Sequence, residues 1–178
     1  SEMAVWPVLL NVSVTDLPVN RITGIDASGF EDLNLSPLEE ADELSIQQLK
    51  TTLLVDTATN AVLGIHVTTT QKHDTQIAPQ VVKRNATSIP VLTGDTGCDD
   101  QKPRQLARNH DIRPLVKHRE FTQLHKAWNA RFDSDLYHRW KMNETVNAAI
   151  KQKFGAFVRS RLWWKQFREL VINCVVHN

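Results

Sequence analysis

The chain has no run of about 18 apolar residues, so no stretch of it reads as a membrane-spanning helix. Its start, SEMAVWPVLLNVSV, is apolar but has no basic lead-in and no small-residue cleavage site, and a secretory signal peptide is not expected. Cysteine is scarce. Cys98 and Cys174 are too few for a disulfide framework and fit free thiols in a reducing compartment, the cytoplasm. Composition gives no sign of disorder: 41% of the 178 residues are apolar, enough for one domain with a substantial core. Net charge is also slight, at +1, but it hides a division. Residues 1–100 carry 5 Lys or Arg against 14 Asp or Glu, a net of −9, while residues 101–178 carry 16 against 6, a net of +10. A basic half is what a phosphate-binding surface requires, because neutralising phosphates releases their counterions. A merely solvated surface has the same composition.

The stretch that organises the rest is VLTGDTGCDD, Val91–Asp100, a short apolar run that ends at Gly94 and delivers Asp95 onto a turn. A strand ending in a carboxylate fixes an acid at a sheet edge. RITGIDASGF, Arg21–Phe30, is a second strand-like run that ends in Asp26, with Ala27-Ser28-Gly29 as the turn after it. KMNETVNAAIKQKFG, Lys141–Gly155, is a helical pattern with Glu144 in its first turns. Two strand-borne aspartates and a helix-borne glutamate can converge on Mg²⁺ or Mn²⁺, since hard cations prefer carboxylate oxygens and Mg²⁺ in phosphate chemistry needs only one or two carboxylates per ion. Taken singly, Asp26 reads as a turn residue or cap and Glu144 as a solvated helix residue.

Residues 1–20 are weakly assigned, either an edge strand or a short helix. Leu49–Asp56 and Ala61–Thr69 are rich in β-branched residues and read as a hairpin. Asp74 is an N-cap candidate for a helix to about Asn85, beside a loop histidine, His73. Ser88–Asp95 is then a strand, Gln101–Asn109 a helix with Pro103 in its first turn, and Ile112–Lys117 a fifth strand. Strands and helices in this order predict an α/β, RNase H-like fold, a mixed five-stranded sheet with flanking helices in a single domain over 1–178. The basic segment His118–Asp135, punctuated by Phe121 and Trp128, reads either as a surface for phosphates and unpaired bases or as a linker. Gly155 ends the helix that carries Glu144. Arg161–His177 then presents Leu162, Trp163, Phe167, Leu170, Val171, Cys174 and Val175 as an apolar stripe, with Trp163 and Trp164 at core and rim, and Arg159, Arg161, Lys165 and Arg168 on other faces.

The order Asp26, Asp95, Glu144, with GIDASGF, GDTGCDDQ and Tyr137-x-x-Trp140-x-x-x-Glu144-x-x-x-x-x-x-Lys151, resembles the DDE transposases of prokaryotic insertion sequences. IRPLVKHREFTQLHKAWNARFDSDLY and FGAFVRSRLWWKQFRELVINCVVHN look closest to copies from halophilic archaea. The resemblance covers nearly the whole chain from about Arg21. It implies a catalytic domain that cuts and joins DNA at the terminal inverted repeats of an element and at a target, with Mg²⁺ or Mn²⁺ held by Asp26 as bridging ligand and by Asp95 and Glu144 on one ion each. Two ions about 4 Å apart activate the attacking oxygen and neutralise the leaving one. It also implies DNA contacts from Tyr137, Arg139, Lys151, Arg159 and Arg161, and a possible homodimer.

The sequence departs from this pattern in four places. Trp140 stands where the family's Tyr-Arg-Glu-Lys signature has arginine, and neighbouring Arg139 would project about 100° away around a helix. Thr96 and Cys98 stand where lysine and tyrosine are usual. Glu31–Leu44 holds six acids and no base, and no N-terminal helical DNA-binding module is recognisable. These departures predict a chain that folds and binds metal and DNA but cuts slowly or not at all. The alternative they raise is a degenerate or domesticated DNA-binding domain without catalysis.

Overall fold

A computed structural model describes residues 5–18, 22–32, 49–69 and 74–178. The acidic segment Glu31–Leu44 lies mostly outside the described residues, as does His73. The described elements are helix α1 (Val5–Val12), strands β1 (Ile22–Asp32), β2 (Leu49–Asp56) and β3 (Val62–Thr68), helix α2 (Asp74–Asn85), strand β4 (Val91–Gly94), helix α3 (Gln101–Asn109) and strand β5 (Arg113–Val116). Helices α4 (Gln123–Ala130), α5 (Ser134–His138) and α6 (Met142–Phe154), strand β6 (Phe157–Val158) and helix α7 (Trp163–His177) follow.

The sheet runs in the order β3-β2-β1-β4-β5, with β6 pairing separately with β1. β1 is antiparallel to β2 and parallel to β4, and β4 is parallel to β5. This is the expected mixed α/β sheet with one more strand than the sequence shows, because a two-residue strand leaves no periodicity to read. β2, LKTTLLVD, is buried at nearly every position, as a central strand covered on both faces must be. Beneath α2 and α3, Ile25, Leu54, Leu63, Ile77, Val81, Val82, Leu92 and Ala107 form one core. On the other face Phe30, Leu49, Leu53, Val55, Val146, Ile150, Leu170, Val171 and Cys174 form a second, beneath α6 and α7. The edge strand β3 is met by Asn178, whose amide accepts from the Val62 N–H at 2.7 Å and donates to the Val62 carbonyl at 3.0 Å.

One open choice is resolved and two local expectations change. Residues 1–20 hold a helix over Val5–Val12. Ala27-Ser28-Gly29 is no turn: β1 continues through it to Asp32, held by β2 on one side and ending against β6. Asp26 therefore sits in mid-strand, where ladder pairing to Leu53 outweighs the local turn preference of small residues. α7 begins at Trp163, with Arg161 ahead of it. Leu162, Trp163 and Trp164 are exposed, so the buried stripe of α7 starts only at Gln166 and includes Leu170, Val171 and Cys174.

Candidate active site

Register settles the first pair. β1 and β4 are matched up to Ile25 opposite Gly94, so Asp26 and Asp95 are the next step on adjacent parallel strands. Side chains alternate along a strand, and Ile25 belongs to the core beneath α2, so Asp26 points to the α6 face. Asp95 leaves β4 at the same level, and both aspartates are half-buried.

Helix α6 is seated beside them by Gly24 and Asn143. A Cβ on Gly24 would collide with Asn143 Oδ1 and lie 3.4 Å from the Trp140 Cα, so a larger residue there would have to displace the buried Asn143 amide. Asn143 donates from Nδ2 to the Leu53 carbonyl at 3.2 Å, and Leu53 is the residue paired with Asp26. Further along, Lys151 Nζ stands 5.2 Å from the Phe30 ring. The helix thus follows β1 from Gly24 to Phe30 and passes Asp26 on the way. Glu144 is one residue after Asn143, about 100° round the helix, on the flank it shares with Lys151. It is exposed. Among the described residues no group of three or more His, Cys, Asp or Glu side chains is arranged to hold a metal ion. The two aspartates are thus neighbours at the ends of the matched stretch of adjacent strands, and Glu144, exposed on α6, forms no three-residue group with them. The donor set is nonetheless one that suits a hard cation, all carboxylate oxygen and with two acids already adjacent.

Tyr137 is 6% exposed and faces inward, contrary to its expected role as a DNA contact. Phe132 meets its ring edge-on with centroids 5.9 Å apart, and Lys117 Nζ lies 4.6 Å over its face. Burial first, and then the charge of Asp95, push the phenol above its ordinary value of 10.0. Trp140 offsets part of this from beside the hydroxyl, but the approach falls short of hydrogen-bond geometry: its Nε1 is buried with no partner. The seven-residue spacing of Tyr137 and Glu144 would put both on one face of a single unbroken helix. A 3₁₀ turn over Arg139–Lys141 separates α5 from α6 and alters their phase. Of the other expected DNA contacts, Arg139, Arg159 and Arg161 are exposed and Lys151 is half-buried, with the Arg159 guanidinium 5.9 Å from the Phe157 ring.

What the sequence reading missed is the network behind Asp95. After a 3₁₀ turn over Thr96–Cys98, Asp99 is gripped by Arg104, whose Nε and Nη2 donate to Oδ1 at 3.1 and 2.7 Å. Nη2 also donates to the Val116 carbonyl at 2.7 Å. The Arg119 backbone N–H donates to Asp99 Oδ2 at 2.7 Å, and Arg119 Nε donates to the Thr96 carbonyl at 3.2 Å. Burial works against the Asp99 carboxylate, but these donors outweigh it and hold the group below its ordinary 3.8. His118 approaches Asp99 Oδ1 at 3.3 Å and stacks on His125 with centroids 5.2 Å apart. Burial and the Arg104 charge lower its pKa, so it is neutral at pH 7. Asn129 of α4 closes the network, accepting from the His118 N–H at 2.9 Å and donating to its carbonyl at 2.8 Å. An acid just after a strand with an arginine five residues on was the available signal. The segment read as linker or DNA surface thus contains a helix, α4, fastened to the Asp95 turn.

A search of the curated proteins found no match. Among solved structures, a chain of the simian T-cell lymphotropic virus intasome in complex with PP2A regulatory subunit B56 gamma is similar at a TM-score of 0.51 and 13% identity, which shows the fold, over 87% of this chain and 47% of that one. Two Mos1 complexes, one a transposase paired-end complex with left transposon end and one a mariner paired end complex with Mn, give TM-scores of 0.36 and 0.38, at 12% and 9% identity. They cover 86% and 87% of this chain and 61% and 62% of theirs. The chain thus spans about half the length of the intasome chain. The family model described as Transposase DDE domain matches residues 36–178, a span that holds Asp95 and Glu144 and begins after Asp26, and the chain belongs to the family of DDE transposase domains.

Proposed function

We propose that this chain is the catalytic core of a DNA transposase that cuts phosphodiesters at the inverted-repeat ends of an insertion sequence and joins the freed ends to target DNA. The observation that carries the reading is the register that makes Asp26 and Asp95 neighbours on the face covered by α6. Asp26 and Asp95 would hold a Mg²⁺ or Mn²⁺ ion between them, with Glu144 of α6 as the third carboxylate of the set. When bound, such ions supply Lewis-acid stabilisation of the phosphoryl group and of the attacking and leaving oxygens. The chain's own part is to fix the two aspartates rigidly, to bury the Tyr137 phenol against Asp95, and to present Arg139, Lys151, Arg159 and Arg161 to phosphate. DNA would be the partner, in a soluble cytoplasmic setting that the two buried free thiols support. Two copies would pair two element ends. Among the described residues no helix is long and apolar enough to cross a membrane.

A second reading, a DNA-binding domain that no longer cuts, is favoured by two observations at one place: Glu144 stands outside any shared shell, and Trp140 puts a buried, unpartnered N–H where the signature has arginine. Nicking and joining of DNA that carries inverted-repeat ends, in Mn²⁺ and then in chelator, decides between them. Cleavage that needs metal and falls in Asp95→Asn by more than the 10–100-fold typical of losing a mere supporting group establishes the first reading. DNA binding without cleavage in either condition establishes the second.

A further inference from the structure

The Asp95 carboxylate sits at the end of a short strand, where four residues, Val91–Gly94, are all that the ladder holds. The ladder of β4 stops one residue short of Asp95. Yet the turn that follows is fastened at both its start and its end. Thr96, the residue after Asp95, has its carbonyl taken by Arg119 Nε, and Asp99 has both oxygens occupied, Oδ1 by the Arg104 fork and Oδ2 by the Arg119 backbone N–H. Arg104 joins three elements at once, because it belongs to α3, grips the turn, and donates to the last residue of β5. The pair is well shielded, with side-chain exposures of 8% for Arg104 and 14% for Asp99, so water does not loosen it.

We propose that Asp99, Arg104 and Arg119 are positioning residues that hold the Asp95 carboxylate beside Asp26. The inference rests on the catalytic reading above only for the use to which Asp95 is put. The geometry itself stands without metal or DNA. Lysine at position 104 keeps the charge but offers one ammonium, which cannot reproduce a planar fork that serves Asp99 and Val116 together. Arg119 is exposed, so truncating its side chain removes the bond to Thr96 while leaving the core untouched.

The chain contains one tyrosine, and it lies beside Asp95, so it reports where that carboxylate is. In protein labelled on that ring, the Tyr137 signal at neutral pH is compared among wild type, Asp95→Asn, Arg104→Lys, Asp99→Asn, Arg119→Ala and a Lys117→Met control. Mn²⁺ affinity is measured by calorimetry on the same set. The expected result is that Arg104→Lys and Asp99→Asn move the ring signal in the direction Asp95→Asn moves it, that Arg119→Ala moves it less, and that Mn²⁺ affinity falls 10–100-fold in the first two. A Tyr137 signal that stays at the wild-type position in the folded Arg119→Ala and Arg104→Lys proteins overturns the proposal. So does one that tracks Lys117→Met instead of Asp95→Asn. A wild type that binds no Mn²⁺ sinks the catalytic reading, while the ring signal still decides whether these residues place Asp95.

Discussion

The turn after Asp95 and the helix that carries Glu144 flank the same two aspartates, and they treat their buried polar groups in opposite ways. In the turn, Asp99 has a donor on each oxygen and Arg104 is shared between a carboxylate and a main-chain carbonyl. On α6, Asn143 uses its N–H on Leu53 but leaves Oδ1 without a partner, and Asn147, 5% exposed, leaves both of its polar atoms so, as the neighbouring 3₁₀ turn leaves Trp140 Nε1. Each such orphan costs about 1–3 kcal/mol relative to water. One wall of the site is therefore preorganised, and the other keeps unused hydrogen-bonding capacity along the face that meets β1.

The largest expected effect contrasts the two walls directly. Arg104→Met takes the guanidinium fork from a half-buried Asp99 and should cost about 1–3 kcal/mol of stability, whereas Asn147→Leu removes two orphan groups and should cost nothing or stabilise by about 1 kcal/mol. Denaturant midpoints at constant slope check both. Equal losses would mean that the Asn147 amide is satisfied in solution and that the walls do not differ.

Trp140 sharpens the comparison from the adaptable side. Trp140→Arg replaces a lone, unpartnered N–H with a charged fork near Tyr137 and Asp95, and should raise cleavage on the order of tenfold, the worth of one good charge-assisted contact, with thermal stability little changed. If cleavage is already efficient with Trp140, or does not respond in a protein that binds metal and DNA, the tryptophan is harmless.

A smaller effect is acid sensitivity. Because Asp99 titrates below its ordinary 3.8 when folded, its share of stability is fully present above that value and is lost as pH falls through the lower, folded value. Asp99→Asn, compared with wild type across that acid range, should flatten the dependence. An unchanged slope assigns the acid loss to other groups. The weakest expected effect is that of Lys151, Arg159 and Arg161 on DNA. Neutralising all three should reduce the slope of log affinity against log salt by up to about three, and an unchanged slope would mark them as ordinary solvated surface.

The sequence was most legible where periodicity and sheet order speak. The hairpin of β2 and β3, the bounds of α3, and an acid on β1 with another just past the end of β4 all follow from alternation and turn residues. Local signals misled where pairing across the sheet overruled them. Ala27-Ser28-Gly29 has a turn's composition, yet its backbone groups pair with Lys50, Thr51 and Thr52 of β2. The inward Tyr137 was hidden because a heptad spacing to Glu144 assumes one unbroken helix, and three residues of tighter winding alter the phase. Beyond the Asp99–Arg104 spacing, the network on Asp99 was illegible for a different reason. Its members lie at 99, 104, 118, 119 and 129, and no local period connects side chains that meet only when α3, β5 and α4 come together.

The Asn178 amide on β3 has a consequence for how copies of this chain can meet. By bonding both the N–H and the carbonyl of Val62, it occupies the outward main-chain groups there much as a neighbouring strand's peptide would. An open edge strand invites another chain to extend the sheet, and side chains that fill its hydrogen-bond sites are one way such growth is blocked. While Asn178 holds this place, another strand cannot extend the sheet at Val62.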